Sequence, residues 1–193
     1  MRTLTCLLLL TLTTQALAQD STKRYTFNEV GWTITIPADF KEMDSVQNRR
    51  SMEKGIKVLE ESADVIADIS EVKTLFTATK NTFQYFTATL TPFDPPKDGD
   101  YKQATKELKE ITYYTFKDQM PDAKLDSSST KITIDGLEFD KFSVLIKVKD
   151  LTLTVVLIGK LYKGYDFGIS YLYMDEQTRD QIEASIRNSK FRK

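Results

Sequence analysis

The stretch that decides the fold is residues 130–174, TKITIDGLEFDKFSVLIKVKDLTLTVVLIGKLYKGYDFGISYLYM. It is rich in β-branched and aromatic residues and is punctuated at Asp135-Gly136, Lys149-Asp150 and Lys163-Gly164. An Asp-Gly pair between such runs is among the strongest short-range hairpin signals. The spacing therefore predicts four strands in an antiparallel meander, Thr130 to Ile134, Leu137 to Val148, Leu151 to Leu161 and Tyr165 to Met174. In the third, Leu151, Leu153, Val155 and Leu157 alternate with Thr152, Thr154, Val156 and Ile158. Both faces are nearly apolar, which predicts a central strand covered on both sides.

Outward from this meander, Asp175 is placed to cap a last helix that turns Ile182 and Ile186 inward and runs to Ser189. On the other side, Asp100 caps a helix from Tyr101 to about Gln119, with Ala104, Leu108, Ile111 and Thr115 as its expected buried face and Pro121 beyond its end. Upstream, Lys73 to Thr79 and Thr82 to Thr91 read as a hairpin turning at Lys80-Asn81 and ending at Pro92. Met52, Ile56, Leu59 and Ala63 form the stripe of a helix from about Ser45 to Ser62, with Gly55 weakening its middle. Arg24 to Phe27 and Trp32 to Ile36 make a first hairpin closed by Pro37, with Trp32 expected in the core.

The element order is ββ-α-ββ-α-ββββ-α. Strands grouped in this way imply an α+β fold in which helices pack on an antiparallel sheet. Within that order, Tyr25-Thr26-Phe27 and the run Gly31-Trp32-Thr33-Ile34-Thr35-Ile36-Pro37-Ala38-Asp39-Phe40 resemble the opening of the PsbP-like and Mog1-like α/β/α sandwich group. There a strand ends in Pro with an aromatic residue three positions on. The closing Phe167-Gly168-Ile169-Ser170-Tyr171, the acidic turn Asp175-Glu176, a short helix and Ser189-Lys190-Phe191 are similar to the way that group ends. The resemblance implies a non-catalytic accessory, adaptor or assembly protein that binds another protein. It carries no ligand set and no site residue.

Composition narrows the chemistry. The 193 residues hold 27 Lys plus Arg against 28 Asp plus Glu, no His and a single Cys. Without imidazole there is no His base, no Ser-His or Cys-His pair and no His metal ligand. Cys6 falls within residues 1–19, where Arg2 precedes the apolar run Leu4 to Leu12 and Ala16-Leu17-Ala18 offers a cleavage pattern. That segment reads as a signal peptide, too short in its apolar core to span a bilayer. Residues 20–193 are expected to form one exported domain without disulfides or membrane insertion. The balanced charge argues against nucleic acid as a partner. Asn28, Asn48, Asn81 and Asn188 all lack the glycosylation pattern. Together these features favour a bacterial periplasm or exterior.

Several patterns invite a site. Asp94, Asp98 and Asp100 fall within seven residues, as calcium ligands do. Pro96 and Thr105 stand where an EF-hand needs ligands, however, so a solvated turn and a helix cap is the preferred reading. Glu60, Glu61, Asp64, Asp68 and Glu71 form an acidic run that reads as a solvated helix end. Ser-x-x-Lys occurs at Ser51, Ser70 and Ser128 without its companion motifs, and Gly168-Ile169-Ser170 begins a nucleophile elbow that Leu172 does not complete. Tyr165, Phe167, Ile169, Tyr171 and Tyr173 alternate onto one face of the last strand. This ribbon is read first as core under a helix, with Tyr165, Tyr171 and Tyr173 as the candidate ligand or partner surface. The expectation is an exported binding protein with no catalytic residue and no cofactor, acting through another envelope protein. The alternative is a calcium-assisted or carboxylate-based glycan-binding or glycan-cleaving protein.

Overall fold

The computed structural model describes residues 22–63 and 70–192. The expected signal peptide, Asp64 and Asp68 lie outside the described residues. The elements run β1 (Lys23–Phe27), β2 (Trp32–Ile36), β3 (Lys41–Glu42), α1 (Ser45–Ala63), β4 (Lys73–Asn81), β5 (Gln84–Pro92), α2 (Pro95–Asp98), α3 (Tyr101–Gln119), β6 (Lys124–Ile134), β7 (Leu137–Val148), β8 (Leu151–Tyr162), β9 (Tyr165–Tyr173), α4 (Glu176–Asn188) and β10 (Lys190–Phe191). The expected order holds, with β3, α2 and β10 added as short insertions. The strands divide between a seven-stranded antiparallel sheet, ordered β3-β4-β5-β9-β8-β7-β6, and a three-stranded sheet, β1-β2-β10.

Turn chemistry accounts for the meander. Asp135 and Gly136, like Lys163 and Gly164, all have positive φ, which is what a two-residue type I′ hairpin turn requires. Strand β6 begins six residues earlier than its sequence suggests, because Lys124 to Ser129 pair in register with Phe142 to Lys147. Ser128 therefore lies inside β6, bonded to Ser143 at 2.9 Å, and not ahead of the strand. The second hairpin turns at Thr82-Phe83, two residues later than expected. Asn81 does not sit at the turn's centre. Its Oδ1 accepts from the Phe83 amide at 2.9 Å, so it opens the turn as an Asx residue.

Strand β8 lies between β7 and β9, and each of its faces joins a separate core. On one face Val156 and Ile158 meet Ile169, Tyr171, Ile182 and Ile186, together with Trp32 and Ile34 of the small sheet. On the other, Leu153 and Val155 join Phe142, Val144 and Ile146 beneath Tyr113 and Phe116 of α3 and its C-cap Met120. Helix α1 shares this second face, where Asn48 accepts from Thr77 at 2.8 Å. The layers are thus the small sheet with α4, the large sheet, and the pair α1 and α3.

Of the expected stripe of α3, Ala104, Ile111 and Thr115 are partly buried but Leu108 is 49% exposed, and the large side chains that join the second core are Tyr113 and Phe116, with Met120 at the C-cap. The C-terminal half of α3 packs Tyr113 and Phe116 onto this core. Its N-terminal half overhangs a gap in the sheet surface.

The small sheet is tied at both ends. Arg192 N donates to Gly31 O at 2.8 Å, and Gly31 has φ +66 with a virtual Cβ only 3.0 Å from Arg192 O, a site that suits glycine alone. At the far end Tyr25 and Lys23 donate to Glu42 at 2.8 and 3.1 Å, joining β1 to β3 of the large sheet.

Candidate ligand cleft

The gap under α3 is a cleft of about 350 Å³. Its floor is a cross-strand pair of glycines, Gly159 of β8 opposite Gly168 of β9. A glycine inside a strand leaves out the side chain that would otherwise fill the space above it. A Cβ on Gly168 would stand 3.1 Å from Thr89 Oγ1, and one on Gly159 would stand 3.5 Å from the Tyr101 hydroxyl. Asp140 of β7, in register with Gly159, continues the row. Leu108, Phe142 and Leu157 supply an apolar wall, and Lys109 and Ser170 also line the space.

Tyr101 is positioned by the cap in front of it. Asp100 accepts from the Lys102 and Gln103 amides, both at 3.3 Å, which fixes the start of α3. The Tyr101 ring meets Phe93 edge-on at 5.3 Å, and its hydroxyl donates to Asp166 Oδ1 at 2.8 Å. Burial pushes the Asp166 carboxyl above the ordinary aspartate range, against the pull of the Tyr101 hydrogen bond. The Tyr101 phenol is raised as well, first by burial and then by the charge of Asp166. Asp140 faces Lys131 on its outer side at 3.5 Å. Among the described residues, no cation lies within ion-pair distance of Asp166. A recess holding two carboxylates, a phenol and an ammonium over an apolar floor is suited to binding. Ser170, one of the hydroxyls on its lining with Thr89 and Thr105, belongs to a chain with no histidine to activate it.

The Asp166→Asn variant tests this environment. An aspartate with a raised pKa pays for ionisation in the folded state: the cost is absent below its ordinary value near about 3.9 and grows as pH rises toward the folded value. Asparagine stays neutral and still accepts from Tyr101. At pH 7 the variant is expected to be more stable by on the order of 1 kcal/mol, with the gain fading as the solution is acidified. Urea titrations at pH 7 and pH 4 check this, and equal gains at both would contradict it.

The sequence-derived candidates lie elsewhere. Asp94, Asp98 and Asp100 are exposed, and the Asp98 and Asp100 carboxylates are spent on backbone amides, Asp98 Oδ2 accepting from Asp94 N at 2.7 Å. Among the described residues no three His, Cys, Asp or Glu side chains are gathered as a metal set. Glu71 pairs with Lys97 at 3.9 Å. In the tyrosine ribbon, Tyr171 is fully buried beneath α4 and donates to Glu183 Oε1 at 3.1 Å, with Tyr173 stacked on it and Tyr165 half-buried against the same core. As a ligand surface, Tyr171 is closed off by the helix that covers it. The cleft is lined instead by the intervening residues Asp166, Gly168 and Ser170, on the strand's opposite face. The signal that could have found it was two glycines inside adjacent strands, since Tyr101 and Asp166 stand 65 residues apart.

A seven-stranded antiparallel sheet between a small sheet with one helix and a pair of helices is an α/β/α sandwich, and the chain has the PsbP-like version of it. In particular, it is similar to the solution structure of cyanobacterial PsbP (CyanoP) from Synechocystis, with a TM-score of 0.55 and 8% identity over 92% of this chain and 96% of that one. A crystal structure from Bacteroides thetaiotaomicron matches with a TM-score of 0.49 and 11% identity over 89% of this chain and 49% of that one. At these identities the likeness is one of fold. The likeness to cyanobacterial PsbP agrees with the PsbP-like part of the resemblance read from Tyr25 to Phe40 and from Phe167 to Phe191. No protein-family model matches the chain, and no curated protein matches it in sequence.

Proposed function

We propose that this is an exported, non-catalytic accessory protein that works by binding another protein in the periplasm or outside a bacterial cell. Residues 1–19 act as its cleaved signal peptide and residues 20–193 as its single domain. The observation that carries the reading is the cleft under α3, a recess at the centre of the large sheet floored by Gly159 and Gly168. Interiors are close-packed as a rule, so a recess of this size over the sheet is space that a partner's side chain can fill. The likeness in fold to PsbP and a residue inventory without imidazole point the same way. Chemical crosslinking in intact cells followed by capture of the tagged protein is expected to recover one envelope protein reproducibly. Recovery of only abundant, unrelated proteins across replicates would count against the reading.

A further inference from the structure

The cleft has a charge pattern that specifies what enters it. Asp166 sits half-buried with Tyr101 on one oxygen and no cation within ion-pair distance among the described residues. Asp140 adds a second carboxylate one strand beyond the glycine pair, and its own partner, Lys131, stands on the outer side. Lys109, the remaining charge on the lining, makes no ion pair with either carboxylate. A carboxylate held out of water costs free energy unless a positive donor meets it. The apolar side of the cleft, Leu108, Phe142 and Leu157, supplies what an aliphatic stem needs. Leu108 remains 49% exposed at the rim, so this wall can be reached from outside.

Resting on the reading of the protein as a partner-binding module, we infer that the α3 cleft receives a basic side chain, lysine or arginine, from the partner, with its stem along Leu108 and Leu157 and its charged head between Asp166 and Asp140. The size fits. At about 350 Å³ the space is at the small end of ligand pockets, enough for one long side chain and too small for a folded segment. Gly159 and Gly168 are the residues that make room, since any larger side chain at either position would project toward Tyr101 or Thr89. A buried charge pair of this kind at the centre of an interface behaves as an anchor.

The test uses the ¹⁵N-labelled protein and two small probes with the same four-carbon stem, Nα-acetyl-lysine methylamide and Nα-acetyl-norleucine methylamide, which lacks the ammonium head. The amides of Gly159, Gly168 and Ser170 are expected to shift with the lysine probe at millimolar concentration, and the norleucine probe should bind about tenfold more weakly or worse, as befits loss of one charge-assisted hydrogen bond. Asp166→Asn should abolish that preference, and Gly159→Leu should block both probes by filling the cleft while leaving the carboxylates in place. Equal shifts from the two probes, no shifts from either, or a preference that survives Asp166→Asn would overturn the inference. So would tighter binding of Nα-acetyl-glutamate methylamide through Lys109. Capture experiments separate this from the broader reading. A partner recovered equally by the wild type and Asp166→Asn sinks the basic-anchor inference and leaves the accessory role standing, whereas lysine selectivity with no partner recovered does the reverse.

Discussion

Replacing Trp32 with alanine is expected to cost about 3–5 kcal/mol, the range for emptying a buried aromatic site, and to lower the Tm by on the order of 10 °C in a domain of this size. Trp32 has no exposed surface. It touches Phe167 of the large sheet edge-on at 4.9 Å and stacks near Phe27, Phe76 and Phe191 at 5.7, 6.1 and 6.1 Å. Its indole N–H donates to Ser189 Oγ at 2.9 Å, and that hydroxyl donates onward to Ile186 O at 2.7 Å. One side chain thus joins the small sheet, the large sheet and the end of α4. Truncation leaves a cavity and also an unpaired acceptor at Ser189, which is 2% exposed. Guanidinium melts of Trp32→Ala and Trp32→Phe separate the two effects, because phenylalanine restores most of the volume but not the donor. A loss below about 1 kcal/mol in the alanine variant would show that the small sheet is not held through this residue.

The second large effect is expected at Glu183 of α4. Its carboxylate accepts from Lys141 of β7 at 2.8 Å and from the buried Tyr171 hydroxyl at 3.1 Å, with Arg187 at 3.2 Å on the other oxygen. Both Glu183 and Lys141 keep 23% of their side chains exposed. Burial by itself would raise the Glu183 carboxyl, but the Lys141 bond and charge, then Tyr171 and Arg187, outweigh it and hold it below the usual glutamate range. A carboxyl lowered in this way contributes stability that is complete above the unfolded value of about 4.3 and is lost as the pH falls through the folded value. Glu183→Gln is expected to cost about 2 kcal/mol at pH 7, less than the 3–5 kcal/mol of a fully buried broken pair because water still reaches the site. The gap between wild type and variant should close as the solution is acidified below pH 4. Stability measured by urea unfolding from pH 7 to pH 3 checks it, and a gap that stays constant with pH would mean that the loss came from packing instead of charge.

Much of the fold is legible in local chemistry. Asp135-Gly136 and Lys163-Gly164 set their own turns because few residue pairs accept two successive positive φ values. Asp100 and Asp175 cap their helices through amides two or three residues away. The two-sided apolar pattern of residues 151–161 placed that strand at the centre of the sheet because alternation reports how many faces are covered. Where local signals were ambiguous, register settled the matter. Asn81 looked like the middle of a turn and became its first residue once Asn81 faced Gln84 in the ladder. Residues 124–129 carried little apolar pattern of their own and became strand because β7 offered them a full row of partners.

The candidate site divides along the same line. The sequence alone determined an α+β chain without imidazole, with strong hairpins, capped helices and a tyrosine ribbon on one face of the last strand. Each of these rests on residues within a few positions of one another. Only the tertiary structure decided that Tyr171 at the middle of the ribbon is sealed beneath α4, and that the opposite face of the same strand opens into a cleft. That outcome depended on stacking β8 on β9 so that Gly159 met Gly168, and on laying α3 across them so that Tyr101 reached Asp166. Desolvation of a carboxylate is a property of what surrounds it in space, and no spacing along the chain records it.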